Sequence, residues 1–425
     1  MKLKEFWQEQ TYRQGIVLFI GGMIANALNY FYRVLMGRML NPELYGELTV
    51  IVSFFLILIV PTAPLQLVAA KFSAVFEAEN FSRKLKRLFI YLTKITTLAS
   101  LALTGFIVFF ACKVQDFLKL SSINYVYILA GTVAVTLISG ITKGVLQGLK
   151  RFSKLSCITV LEAVARIAIA WVLVSFGFRM VGALSGFFVP PILLYLPAIY
   201  FIRDVLRATD NPSEDISGTN SSGKEIWRYF VWSTLVFLFL NTLLSVDKVL
   251  VKHFFSPFDA GIFAAFTTLG QAVFIAVTAL GGIIFPITAS KQARKEDYFQ
   301  PLKTISIVTF FVAGFASLVL WLFSKEFINI FFGSEYLGGA PFLGYYSIAM
   351  GIFGFIFFLS YFFMALNNFK FLYVLMAGSI VEVILISLWH DGFFQVISMF
   401  FISLIVSLAG MIFLILEDKK KNSIV

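Results

Sequence analysis

Apolar runs of about 20 residues recur from one end of this chain to the other, and that recurrence limits the fold more than any other feature. A helix of roughly that length crosses a hydrocarbon core about 30 Å thick. Hydrophobic residues make up 59% of the 425, and charged ones 13%, against roughly 45–50% and 25% in a soluble globular domain. Lipid offers no hydrogen bonds, so each span must satisfy its own backbone, and the helical length of the runs predicts an all-α polytopic membrane protein. The first run begins near Gly15 without a small-residue cleavage site behind it, which reads as a retained helix and not a signal peptide.

The runs predict twelve transmembrane helices, at 15–35, 44–69, 88–112, 123–147, 155–177 and 180–202, then 229–250, 258–285, 303–323, 341–365, 369–389 and 393–416. An even count leaves both termini on one side. Lys and Arg number 24 on the side of the termini and six on the other, a positive-inside bias that predicts a multi-pass protein of the plasma (inner) membrane with both termini cytoplasmic. The net charge of +11 is thereby read as topology, with no nucleic-acid partner.

Six helices fall on each side of a polar stretch rich in Gly, Ser and Pro, Asp210 to Lys224. The expected organisation is an N-terminal lobe at 1–202, a cytoplasmic linker at 203–228, either hinge or plain loop, and a C-terminal lobe at 229–425. The lobes also resemble each other. A shift of 215 lays Asn26 on Asn241, Arg33 on Lys248, Pro42 on Pro257 and Gly46 on Gly261, which points to parallel repeats related by an axis along the membrane normal.

Polar residues inside the spans are the candidate site. Asn26, Asn29, Tyr30 and Arg33 share one helical face, and so do Asn241, Ser245, Lys248 and Lys252. A charge at the bilayer centre costs at least about 2.5–3.5 kcal/mol, so such faces turn toward a bundle interior or a wet cavity. The alternative is that Arg33 and Lys248 snorkel to the outer headgroups. Glu162 and Arg166 stand four apart, the spacing of an intrahelical ion pair. Glu382 has no partner nearby in sequence and reads as a proton or cation site, or as the mate of a base on another helix. Asp247 and Lys248 are adjacent and point about 100° apart, which predicts that they do not pair. Glu47 is expected at the interface. Cys112, Cys157, His253 and His390 are too scattered for a disulfide or a metal site.

The segment Tyr32 to Gly46 (YRVLMGRMLNPELYG), its counterpart Val246 to Gly261, and the turn Gln147-Gly-Leu-Lys-Arg-Phe152 resemble the polysaccharide transporter branch of the multidrug/oligosaccharidyl-lipid/polysaccharide exporters. The resemblance implies two pseudo-symmetric six-helix lobes around a central cavity that opens alternately to the two sides. Basic residues on the first helix bind the diphosphate in the related lipid II flippases, and Arg33 and Arg38 stand in the matching region here.

The expectation is a flippase, not an enzyme, for a polyprenyl-diphosphate-linked oligosaccharide. Arg33, Lys248, Arg38, Lys252, Asn26 and Asn241 would contact the substrate. Glu382, Glu162 and Asp247 are the candidates for coupling to an inward H+ or Na+, with the membrane potential as the other drive and no further cofactor. Membrane lipids and other polysaccharide-biosynthesis proteins are the expected partners. A drug or metabolite exporter is the rival reading. A membrane-embedded polymerase or ligase is further away, because the outer loops are short and carry no catalytic cluster.

Overall fold

A computed structural model describes residues 10–78, 82–207, 223–294 and 296–422. Among these every regular element is helical: α1 (Gln10–Met39), α2 (Pro42–Leu58), α3 (Thr62–Ala78), α4 (Ser82–Phe109), α5 (Ala111–Phe117), α6 (Asn124–Gly148), α7 (Phe152–Leu173), α8 (Arg179–Tyr200), α9 (Arg203–Arg207), α10 (Gly223–Phe254), α11 (Pro257–Ala293), α12 (Phe299–Leu322), α13 (Ser324–Phe331), α14 (Ala340–Ala365), α15 (Phe371–Leu388) and α16 (Phe393–Asn422).

Nine helical stretches among the described residues are long and apolar enough to cross a membrane, and the pair α2 and α3, bent by 41°, makes ten. One of the nine, Phe152–Tyr200, is 49 residues long and is broken at Gly177, φ 91°, into α7 and α8. Counting those two separately gives eleven, and α1 covers the first span expected, at 15–35. The predicted second helix, 44–69, is the broken pair, interrupted before Thr62.

The chain forms two compact units. One holds residues up to Met36 together with Leu58–Thr234, and the other holds Gly37–Ile57 together with Leu235–Val425. The units place 229–234 in the first and, the larger difference from the expected lobes, Gly37–Ile57 in the second. Three contacts explain it. The Tyr45 hydroxyl shares a 2.9 Å hydrogen bond with Thr268 Oγ1, Tyr336 OH donates to the Leu40 carbonyl at 3.1 Å, and α2 crosses α11 where Gly46 meets Gly261. A Cβ on Gly261 would lie 1.9 Å from the Pro42 carbonyl oxygen, and one on Gly46 would lie 2.9 Å from the Gly261 nitrogen. The repeat-equivalent glycines therefore face each other, and backbone approach is what keeps both positions small. Of the expected linker, 203–207 is α9 and 223–228 opens α10, while 208–222 lies outside the described residues.

Each unit is built on one central helix. In unit 2 that is α14, which is mostly buried, whereas α4 is mostly not. In unit 1 it is α6, packed on α3, α4 and α8 and touching α7 far less. Gly144 and Gly148 let α3 approach α6 closely, their missing Cβ positions lying 2.5 Å from the Gln66 carbonyl and 2.3 Å from the Ala70 carbonyl.

Candidate functional site

Unit 2 buries a charged cluster. Lys248 Nζ donates to Asp247 Oδ1 at 2.8 Å, to Tyr346 OH at 3.0 Å and to the Leu244 carbonyl at 2.6 Å, and Tyr346 OH donates to Asp247 Oδ2 at 2.8 Å. Asp247 and Tyr346 are fully buried, Lys248 nearly so. Rings seal the site: Phe263, Phe266 and Phe400 lie 5.7–6.1 Å from Tyr346. Such a pair survives burial only because its hydrogen bonds are filled, since each ion leaves water at a cost of several kcal/mol. Glu382 on α15 is also fully buried. Neither of its oxygens has a hydrogen-bond partner among the described residues, and Asp247 and Lys248 are the charges that bear on it. Burying a carboxyl without a hydrogen-bond partner is costly, which marks Glu382 as a candidate functional group.

A second buried pair sits on the same repeat. Lys252 Nζ lies 3.9 Å from Glu47 Oε1 with both side chains buried. Glu47 is thus an interior residue and not an interfacial one, because α2 turns it into unit 2 beside the Gly46 crossing.

Unit 1 carries a more open cluster. Lys143 on α6 pairs with Glu162 on α7 at 2.6 Å, their side chains 20% and 13% exposed. Arg166 Nη1 donates to Asn29 Oδ1 at 2.5 Å, and its guanidinium covers the Phe187 ring at 4.2 Å. Its buried Nε has no acceptor among the described residues. Arg33 and Glu162 both act on Arg166 electrostatically, so three cations and one carboxylate share this region.

Residues 12–292 match the family model described as polysaccharide biosynthesis protein. The chain belongs to that family. It is 26% identical over 93 residues to Lsg locus putative protein 1 of Haemophilus influenzae, covering 22% of this chain and 23% of that one. It is 27% identical over 165 residues to stage V sporulation protein B of Bacillus subtilis, covering 38% and 32%. The matched regions thus span about a quarter and a third of these relatives. The inward-facing form of a multidrug resistance MATE family transporter of the MOP superfamily superposes with a TM-score of 0.74 at 14% identity, over 93% of this chain and 95% of that one. The lipid II flippase MurJ in an inward closed conformation gives 0.73 at 16% identity, over 94% and 87%. The chain is thus a multi-pass membrane protein with this fold.

Its sequence-predicted residues fall into three groups. Lys248, Asp247 and Glu382 come together in unit 2, and the expectation that Asp247 and Lys248 point apart is corrected: the flexible lysine stem curls back to reach its neighbour's carboxylate and the Leu244 carbonyl. Arg33, half-buried, joins Arg166 in unit 1. Glu162 bonds Lys143 and not Arg166, because the stronger geometry lies across to α6. The rest act elsewhere. Arg38 is exposed and donates to the Asn329 carbonyl at 3.3 Å, Asn241 donates back to the Phe237 carbonyl on its own helix, and Asn26 is exposed on α1. Sequence reasoning missed Lys143, Tyr346, Gln66 and Gln147. The signal for Lys143 and Gln147 was their spacing of four on a span otherwise free of charge. Cys112 and Cys157 are both free.

Proposed function

We propose that this chain is a flippase that carries a polyprenyl-diphosphate-linked oligosaccharide from the cytoplasmic to the outer leaflet by alternating access. In this reading both termini are cytoplasmic in the plasma (inner) membrane. The observation that carries it is the group of cations held inside the spans of unit 1, Arg33, Arg166 and Lys143, against a single carboxylate, Glu162. Their net positive charge suits a phosphate-bearing headgroup, while lipid surrounds the polyprenyl tail.

Arg33 makes the first contact with the diphosphate. Lys248 and Lys252 join only when their carboxylate partners let go, because both are buried against acids. Arg38 holds the Asn329 carbonyl of α13 and comes second. For two negative charges, a potential of 100 mV, inside negative, favours outward movement by about 4.6 kcal/mol. Glu382, beside Asp247 and Lys248, takes up an inward proton, with Na+ as the other cation of suitable charge. The MATE and MurJ folds fit equally well, so fold does not separate a drug exporter from a flippase. The interior cations favour the flippase, since a cationic drug would be repelled.

The test is flipping of a fluorescent polyprenyl-diphosphate oligosaccharide in proteoliposomes. Arg33→Gln combined with Asp247→Asn and Lys248→Gln, which keeps the buried site of unit 2 neutral, should lower the rate at least about tenfold with the protein still inserted. Unchanged flipping would count against these residues.

A further inference from the structure

Lys143 and Gln147 are the open positions in the last two turns of α6, where the neighbouring residues are buried. Lys143 reaches α7 and Gln147 reaches α3, so the two positions lie where α6 meets both neighbours. Gln147 Oε1 accepts from Gln66 Nε2 at 2.9 Å, and one turn away Lys143 meets Glu162. One turn further along α7, Arg166 meets Asn29. Helices α6 and α7 run antiparallel from the Leu149–Arg151 turn, and α1 runs alongside α7, tied to it by Ser156 Oγ donating to the Val17 carbonyl at 2.9 Å. At 1.5 Å per residue these pairs form a track about 12 Å long, one level per helical turn.

The track has the chemistry of a carbohydrate site. Three amide side chains supply both donors and acceptors for hydroxyl groups. Lys143 and Arg166 outnumber Glu162 by one charge, and the buried Nε of Arg166 has no acceptor among the described residues. Glu162 stands four residues before Arg166 on the same face, so it has a second cationic partner within reach.

We propose that this track binds the saccharide portion of the substrate and selects glycans that bear an acidic group. The incoming carboxylate or phosphate takes Lys143, and Glu162 swings to Arg166. The sugar hydroxyls take Gln66, Gln147 and Asn29. This rests on the flippase reading but concerns the glycan and not the diphosphate, so the two can fail separately.

The test measures binding of lipid-free probes to the full chain in nanodiscs: a galacturonic acid trisaccharide, the neutral galactose trisaccharide and inorganic diphosphate. The wild type should bind the acidic trisaccharide at least about tenfold more tightly than the neutral one. The paired variant Lys143→Gln with Glu162→Gln keeps the local charge sum and should erase that preference with an unchanged unfolding temperature. Lys143→Arg should retain it. Equal binding of the two trisaccharides by the wild type, or a preference that survives in the paired variant, overturns the proposal. Tightest binding of diphosphate, with no trisaccharide preference, also overturns it and assigns the track to the lipid's phosphates. Absence of flipping for every diphosphate lipid, with trisaccharide selection intact, would sink the flippase reading alone.

Discussion

The two units place charge inside the membrane in opposite ways. In unit 1 the Lys143–Glu162 pair stays partly exposed and Arg166 keeps an unused donor. In unit 2 Asp247, Lys248, Tyr346 and Glu382 are buried, with phenylalanine rings packed around Tyr346. An open cation can meet a ligand; a sealed pair can only store charge until something moves. The difference argues for a division of work in which unit 1 recognises and unit 2 couples.

The largest effect expected of a single change lies in the sealed site. Lys248→Gln leaves Asp247 buried without its counter-charge, and losing one partner of a buried pair costs about 3–5 kcal/mol. The double variant with Asp247→Asn removes both charges and should recover most of that in thermal unfolding. The matching change in unit 1, Lys143→Gln, should cost far less, because Glu162 can turn to water or to Arg166. Equal losses in the two units would erase the distinction.

Next in size is a steric contrast. Gly261→Ala puts a methyl against the Pro42 carbonyl, at 1.9 Å before relaxation, and overpacking of that kind costs about 1–3 kcal/mol. Gly22 in unit 1 has nothing within 4 Å of an added Cβ. Gly22→Ala should therefore be neutral, or stabilising by about 0.5–1 kcal/mol, since glycine is the poorer helix former. Unfolding temperatures of the two variants in one detergent settle whether the α2–α11 crossing is as tight as its geometry says.

Glu382→Gln sharpens the coupling half. An amide of the same shape replaces a carboxyl that has no hydrogen-bond partner among the described residues, so stability should move by less than about 1 kcal/mol. Flipping should continue but lose its dependence on an imposed proton gradient. A variant that still responds to the gradient would move coupling away from Glu382.

The membrane class was legible from the apolar runs, because lipid enforces their length and helical backbone. The meeting of Gly46 with Gly261 was half legible: register showed that they are equivalent, but not that equivalent residues touch. Charge pairing was not legible. Glu162 and Arg166 have the spacing of a pair, and Asp247 and Lys248 do not, yet the contacts run the other way. Long side chains choose partners by what faces them from other helices, and spacing along one helix is blind to that.

The smallest effect expected is at the membrane edge of unit 1, where Arg151 forks onto Asp204 and donates to the Phe201 carbonyl. The hydrogen bond from Arg151 holds the Asp204 carboxyl below its ordinary range, and Asp204 in turn raises Arg151. A carboxyl whose pKa is lowered on folding stabilises the protein fully above its unfolded value of about 3.9, and that contribution fades as pH falls through the lower folded value. Because the Asp204 side chain is 59% exposed, solvent limits the contribution to less than about 1 kcal/mol. The difference in stability between wild type and Asp204→Asn should stay constant from neutral pH down to about 5 and shrink below about 4. It should also weaken in high salt, as an exposed pair does. The sealed pair of unit 2, screened far less, should keep its effect in the same salt titration. A contribution from Asp204 that grows as pH falls, or that ignores salt, would mean that this edge is as closed as the interior of unit 2.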